Sequence, residues 1–370
     1  MRILFTGGGT GGHIFPIIAI KESFPDGYDF YYLGPDNFAK ENLTNQGIIT
    51  RFISAGKLRR YFNLRAPIDI LKTFLGVIQS FWYLFFIMPD VIFSKGGYGS
   101  FPVVFAGWIY RIPIVLHESD SAPGLATRIL AKFAKKIILS FEGSQVYFPK
   151  YQEKLLLIGN PIRKELIRGD KNHGKQLFKI SSQKPVILIL GGSQGAQKIN
   201  ETVLSILTRI LKLAEIIHIS GKRNARIMAQ ESKKILKYYE GLKSYYHLYS
   251  LLSADQMKHA YAMADLIVNR AGAGSIYEIA ALGRPSILIP IPNSAQEHQR
   301  KNAHDFVKTG GAIVIEQENL TPNIFLEQIS NLLKNPGKLK EMGEKAKAFY
   351  KPNIAERIRD EIINIVKTKQ

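Results

Sequence analysis

Residues 269–285 read NRAGAGSIYEIAALGRP. The run before them, Leu266-Ile-Val-Asn269, is apolar and short, as expected of a buried parallel strand. Two small-residue pairs, Ala271-Gly272 and Ala273-Gly274, then make a turn, and Ile276, Ile279 and Ala280 fall on one face of a helix. Strand, small-residue loop and helix together aim free backbone N–H groups and a positive helix end at an anion. Glu278 lies one turn into that helix, where a carboxylate can accept hydrogen bonds from two neighbouring hydroxyls. A phosphate cradle beside a diol-binding carboxylate fits a nucleotide that carries a ribose. The competing reading is an ordinary βα unit whose Glu278 only complements the helix dipole.

The same pattern recurs outward from this stretch. Residues 185–190 read as a buried strand, Gly191-Gly-Ser-Gln-Gly195 as a glycine loop, and Ala196 onward as a helix. The chain opens the same way, with Ile3-Leu-Phe5, the loop GGGTGG at 7–12, and a helix from His13 to Glu22. Gly7, Gly9 and Gly12 satisfy G-x-G-x-x-G, and Asp36 could serve as the acidic partner of a dinucleotide site; Pro35 before it and His13 at the helix start argue against one. Further strands are expected at 28–33, 91–93, 114–116, 137–140 and 155–158, then at 215–219, 245–249, 265–269, 286–290 and 312–315, each followed by helical periodicity. Such alternation predicts an α/β chain with parallel sheets covered on both faces. His117-Glu-Ser-Asp120 is placed just past the carboxyl end of a strand, where polar groups face a ligand crevice. Gly159-Asn-Pro-Ile-Arg163 marks a boundary, so the expected domains are 1–160, 161–340, and C-terminal helices 341–370. The last helix carries Ile354, Ile358, Ile362 and Ile365 on one stripe and is expected to pack back on the first domain.

A length of 370 residues exceeds what one core usually serves. With no cysteine, disulfides and thiolate metal sites are excluded. The opening MRILFTGGG has too short an apolar core for a signal peptide. The net charge is +20; residues 1–160 hold 17 Lys and Arg against 11 Asp and Glu, or +6, leaving +14 beyond. The excess is diffuse and no nucleic-acid motif accompanies it, which fits anionic small molecules or an anionic membrane surface. Residues 51–88 stand out. Arg51, Lys57, Arg59, Arg60, Arg65 and Lys72 face only Asp69, and behind them residues 74–88 form a 15-residue apolar run with six aromatic residues. That run is shorter than the roughly 18–20 residues a bilayer crossing needs. It is expected to bury one face on the sheet and to lay the rest, including Phe81, Trp82 and Phe85, in a membrane interface with Lys57, Arg59 and Arg60.

GGGTGGHIFP at 7–16, GGYGSFP at 96–102, HES at 117–119, GNPIR at 159–163, GGSQGAQKIN at 191–200, the stretch 260–292 and HQRKNA at 298–303 together resemble the MurG family over essentially the whole chain. The resemblance implies the GT-B fold, two doubly wound, Rossmann-like domains facing a cleft. It further implies transfer of N-acetylglucosamine from UDP-N-acetylglucosamine to lipid I, the undecaprenyl-pyrophosphoryl-muramyl-pentapeptide. The implied setting is the cytoplasmic face of the bacterial plasma membrane, peripherally bound, with cell-wall synthesis proteins as further partners and no cofactor. A related GT-B enzyme with another lipid acceptor is the alternative.

By the resemblance, Ser193 reaches the diphosphate, Arg163 and the backbone at Ala254 meet the uracil, and Glu278 binds the ribose hydroxyls. Ala273, Gly274 and Ser275 form the loop over phosphates and sugar, and Gln299 bonds the sugar hydroxyls. Thr10, Gly11 and Gly12 complete the donor set from the first domain. Gly9, Thr10, Gly96, Gly97 and Tyr98 line the acceptor side. Two positions depart from the family pattern. Asp120 stands where an asparagine is usual, and Gly274 where a bulkier residue is usual. Many glycosyltransferases hold a metal on D-x-D, and this chain has no D-x-D. Helix N-termini and Ser193 are therefore expected to carry the leaving group's charge. His13 is the candidate base, because an imidazole titrates near working pH; a phosphate-binding or structural histidine is the competing reading, and Asp120 is the alternative base.

Overall fold

The structure is a computed structural model that describes residues 1–36, 39–56, 66–191, 196–292 and 294–368. The chain divides into two compact units, 1–163 with 351–370, and 164–350. The helix Pro336–Phe349 lies wholly in the second unit, so the division falls at 350 and not at 340.

In the first unit, seven strands form one parallel sheet: β1 (Arg2–Thr6), β2 (Asp29–Gly34), β3 (Ile49–Phe52), β4 (Val91–Ser94), β5 (Ile114–Glu118), β6 (Lys136–Leu139) and β7 (Leu155–Leu157). Their order is β3-β2-β1-β4-β5-β6-β7, so the chain winds outward from β1, crosses back, and winds outward again from β4. In the register, Leu4 stands opposite both Tyr31 and Ile92. Every residue of β4 and β5 is buried, as expected for strands with helices on both faces. The loops after β1 and β4 leave the sheet side by side at its switch point, the place where such sheets take ligands. β5 runs through His117 and Glu118, so only Ser119 and Asp120 lie past its end. The helix Ile354–Lys367 buries Ile354, Ile358, Ile362 and Ile365, and Arg359 Nη1 donates to Ser23 O at 2.7 Å.

The second unit repeats the design with six strands: β8 (Val186–Leu190), β9 (Glu215–Ile219), β10 (Tyr246–Tyr249), β11 (Leu266–Asn269), β12 (Ser286–Leu288) and β13 (Ala312–Val314). The order β10-β9-β8-β11-β12-β13 again reverses between the first strand and the fourth. The helix Gln197–Leu213 turns Ile199, Val203, Ile206, Leu207 and Ile210 onto Ile187, Ile189 and Val268 in one core. That 3.6-residue periodicity is why the segment is a helix and why it lies flat on the sheet.

The apolar segment departs from its expectation in length. It is a helix of 22 residues, Ala66–Ile87, long and apolar enough by length and composition to cross a bilayer. It buries one narrow face, Gly76, Ser80 and Leu84, with Leu84 in the same core as Leu4, Ile92 and Leu116 of the sheet, and it packs chiefly on the helix Phe101–Ile109. Glycine is required at 76, because a Cβ there would lie 1.9 Å from Ser54 O. The other faces stay exposed, with Leu71, Phe74, Ile78, Trp82, Phe85 and Phe86 following one another at helical spacing. Phe81 is half-buried and packs edge-on against Tyr110 at 5.5 Å, so it belongs to the packed side. Lys57, Arg59 and Arg60 lie outside the described residues.

Candidate active site

In the first unit the polar residues gather at the carboxyl ends of β1, β4, β5 and β7. Gly11 and Gly12 open the helix Gly11–Lys21, and Thr10, at its N-cap position, turns its hydroxyl to His13 instead of the helix backbone. Thr10 Oγ1 and His13 Nδ1 are 2.9 Å apart. The imidazole lies against two glycine loops. A Cβ on Gly8 would stand 2.9 Å from His13 Cε1, and one on Gly97 would stand 3.2 Å from Nε2. Gly97 also has φ +79, which a residue with a Cβ rarely adopts. Burial, and then the charge of Lys95, push the His13 imidazole down to about 4. His13 is therefore neutral at working pH, and with Nδ1 engaged by Thr10 its Nε2 is the nitrogen left for a substrate proton. Bound phosphate would move the imidazole the other way, toward working pH.

Gly9 is buried below this loop, Gly96 has φ +70, and Tyr98 opens the short turn Tyr98–Ser100. Behind them lies a group that sequence reasoning missed. Lys95 Nζ stands 2.5 Å from both His117 Nδ1 and Ser119 Oγ, and 3.4 Å from Asn160 Oδ1. Burial brings the Lys95 ammonium down to about 7, while Glu118 and Asp120 pull it back up. The same burial, with Asp120 beside it, raises the Glu118 carboxyl to about 7. Glu118 Oε1 accepts from the backbone N–H of Asp120 at 2.9 Å, which fixes the turn that presents Asp120. Arg163 stacks its guanidinium 4.4 Å from the Phe15 ring centroid. The one signal for Lys95 in the sequence was its place between an apolar strand and a glycine pair.

In the second unit the loop after β11 is held from below. Buried Arg270 donates through Nη1 to Ile289 O at 3.2 Å and to Gln317 Oε1 at 2.6 Å, and Asn302 Nδ2 donates to Ala271 O at 3.4 Å. Ala271 sits at φ +47, a conformation these contacts sustain. The helix Ala273–Ala281 then begins with no side-chain cap and no acidic residue in its first turn. Ala273, Gly274 and Ser275 thus present orphan N–H groups and the positive helix end at the sheet's switch point. Glu278 lies beyond the first turn, too far in to serve mainly the dipole. Its Oε2 accepts from the hydroxyl of buried Tyr261 at 2.8 Å, which orients the carboxylate.

Ala254 opens the helix Ala254–Met263 after β10, behind a full capping box in which Ser253 and Gln256 satisfy each other's backbone N–H groups. Gln299 Oε1 accepts from Ile291 N–H at 3.1 Å, so its amide NH2 is the part left to meet a hydroxyl. Ser193 lies outside the described residues. The structure thus gathers Gly9 to His13, Gly96 to Tyr98, Asp120 and Arg163 in one unit, and Ala254, Ala273 to Ser275, Glu278 and Gln299 in the other.

Residues 3–139 match the glycosyltransferase family 28 N-terminal domain, and residues 186–358 match its C-terminal domain. A Legionella pneumophila (strain Paris) protein named UDP-N-acetylglucosamine–N-acetylmuramyl-(pentapeptide) pyrophosphoryl-undecaprenol N-acetylglucosamine transferase is 38% identical over 370 residues, 99% of this chain and 96% of its own. A Bacillus cereus (strain ATCC 14579) protein, number 2 of the same name, is 38% identical over 367 residues, 98% of this chain and 99% of its own. The crystal structure of Acinetobacter baumannii MurG matches with a TM-score of 0.74 at 26% identity, covering 98% of this chain and 99% of that one. The chain belongs to glycosyltransferase family 28, among the MurG transferases.

Proposed function

We propose that this chain transfers N-acetylglucosamine from UDP-N-acetylglucosamine to the muramyl hydroxyl of lipid I, with inversion, giving lipid II for peptidoglycan synthesis. The observation that carries this reading is the full-length kinship to transferases of that name, at 38% identity over 99% of the chain. Inverting transfer needs two things of the protein: a base for the acceptor hydroxyl, and stabilisation of the UDP that departs with the electron pair of the C1–O bond. His13 Nε2 takes the proton as the hydroxyl oxygen attacks C1 from the face opposite UDP. The uncapped start of the helix Ala273–Ala281 and Ser193 receive the growing charge on the diphosphate. Arg163 and the backbone at Ala254 hold the uracil, Glu278 the ribose, and the Gln299 amide and Asp120 the sugar. The oriented Glu278 carboxylate beside Tyr261 supports the ribose role, since a fixed acceptor loses little freedom when two hydroxyls bind it.

Glu278→Ala should raise the donor KM by roughly tenfold or more, because charge-assisted hydrogen bonds are worth about 1.5–3 kcal/mol. Steady-state kinetics over donor concentration reads this, and an unchanged donor KM in a folded variant would leave Glu278 a structural role beside Tyr261. With no D-x-D in the sequence, transfer should persist in excess chelator. Complete loss of activity that added magnesium restores would place a metal under the diphosphate.

The chain acts, on this reading, as a peripheral enzyme at the cytoplasmic face of the plasma membrane, where the lipid-linked acceptor resides. The exposed apolar face of the helix Ala66–Ile87 supports a membrane contact, since large apolar side chains clustered on a surface mark interaction sites.

A further inference from the structure

Lys95 is 4% exposed, and nothing in the transfer chemistry above uses it. Its ammonium has three protons and no acceptor, so its contact with His117 can run only from Nζ to Nδ1. Nδ1 then carries the lone pair, and the proton of the neutral ring sits on Nε2, which stands 3.0 Å from Gly159 O and donates to it. Ser140 Oγ is 3.3 Å from the same nitrogen, and Ser119 Oγ donates to Asn160 Oδ1 at 3.1 Å. The Lys95 backbone N–H donates to Thr6 O at 2.8 Å. The Lys95 side chain, just past β4, thereby binds residues at or past the ends of β5 and β7, while its backbone N–H reaches β1 and His117 passes the contact on to Ser140 beyond β6. Gly96 and Gly97 leave directly from it, and Gly97 is the residue against His13 Nε2.

We propose, resting on the transfer reading above, that Lys95 is a positioning residue: its ammonium fixes the Nε2–H tautomer of His117 and ties the end of β4 to those of β5 and β7, in one rim that holds the His13 ring. A lysine fits the position because three acceptors converge there and the carboxylates of Glu118 and Asp120 balance its charge. The titratable groups around it are His13, His117, Glu118 and Asp120. A neutral side chain would leave the His117 and Ser119 acceptors without a donor, and the glycine turn beside His13 would lose its anchor.

Long-range ¹⁵N–¹H spectra of the histidine rings, recorded on the substrate-free protein at about pH 6, where the amine is protonated, test the geometry without a variant. A His117 ring protonated only on Nε2 is expected, and a proton on Nδ1 overturns the proposal whatever reaction the chain performs. Kinetics then test the role. Lys95→Met should lower kcat by about tenfold or more while the donor KM stays within about twofold. The double variant Lys95→Met/His117→Phe should lose no more than the worse single change, because both act through one contact. Additive losses, or a donor KM that rises while kcat holds, would overturn it. If Lys95→Met does not fold, the spectra of the unaltered protein still decide.

Discussion

His13→Ala should lower kcat by about 10²–10⁴ while UDP affinity stays near that of the unaltered chain. The size follows from the role: a positioned base removes the acceptor proton as the new bond forms, and without it the hydroxyl must attack while still carrying its proton. UDP affinity should hold because the proposed mechanism assigns the diphosphate and ribose contacts to Ser193, the helix start at Ala273 and Glu278. The pH dependence carries the same signature. Burial and Lys95 hold the free-enzyme imidazole at about 4, so protonation, which abolishes the base, comes only as pH falls through that region. The acid limb of kcat/KM for the unaltered chain should therefore lie well below the ordinary histidine value of about 6.5. In Lys95→Met the opposing cation is gone, and the limb should move up in pH. A kcat for His13→Ala within about threefold of normal, under 1 kcal/mol in the barrier, removes the assignment, and Asp120→Asn becomes the next variant to measure.

Replacing Trp82, Phe85 and Phe86 together with serine should weaken binding to anionic vesicles by about 10²-fold or more, at about 1.5–3 kcal/mol for each fully buried aromatic side chain. The three side chains are 65%, 62% and 62% exposed, with Phe86 in ring contact with the other two, so they form one apolar surface. Little of that surface contributes to the fold, because the helix is held through Gly76, Ser80 and Leu84. The triple variant should therefore melt at nearly the normal temperature and keep its UDP affinity. Salt should weaken binding, since nearby cations add about 1 kcal/mol each at an anionic surface. Charge reversal at Lys57, Arg59 and Arg60 should act in the same direction. Vesicle sedimentation unchanged by the aromatic triple change would move the membrane contact elsewhere on the chain.

Much of the fold was legible because strand and helix periods are written locally. The two glycine loops, the alternating apolar runs and the stripe at Ile354, Ile358, Ile362 and Ile365 all give elements within a few residues of those observed. The helix Ala66–Ile87 is longer than expected because its apolar run begins at Phe74, eight residues after the helix's first residue, so hydrophobicity understates its length. Its packing was hidden as well: Gly76, small and unremarkable in sequence, is what allows the close approach to Ser54 O. In the proposed site, the glycine loops and Glu278 could be singled out from local sequence, and the other individual roles only through the resemblance. Lys95, Tyr261, Arg270 and Asn302 could not, because each works through a partner 17 or more residues away. Such contacts have no local period; they exist only once parallel crossovers bring strand ends together.

Transfer of radiolabelled sugar from UDP-N-acetylglucosamine to a short-chain lipid I analogue tests the central claim most directly. Label should appear in a product one N-acetylglucosamine heavier than the analogue, with UDP released in equal amount. UDP released without sugar on that acceptor, or label passing to diacylglycerol and not to the analogue, would contradict it.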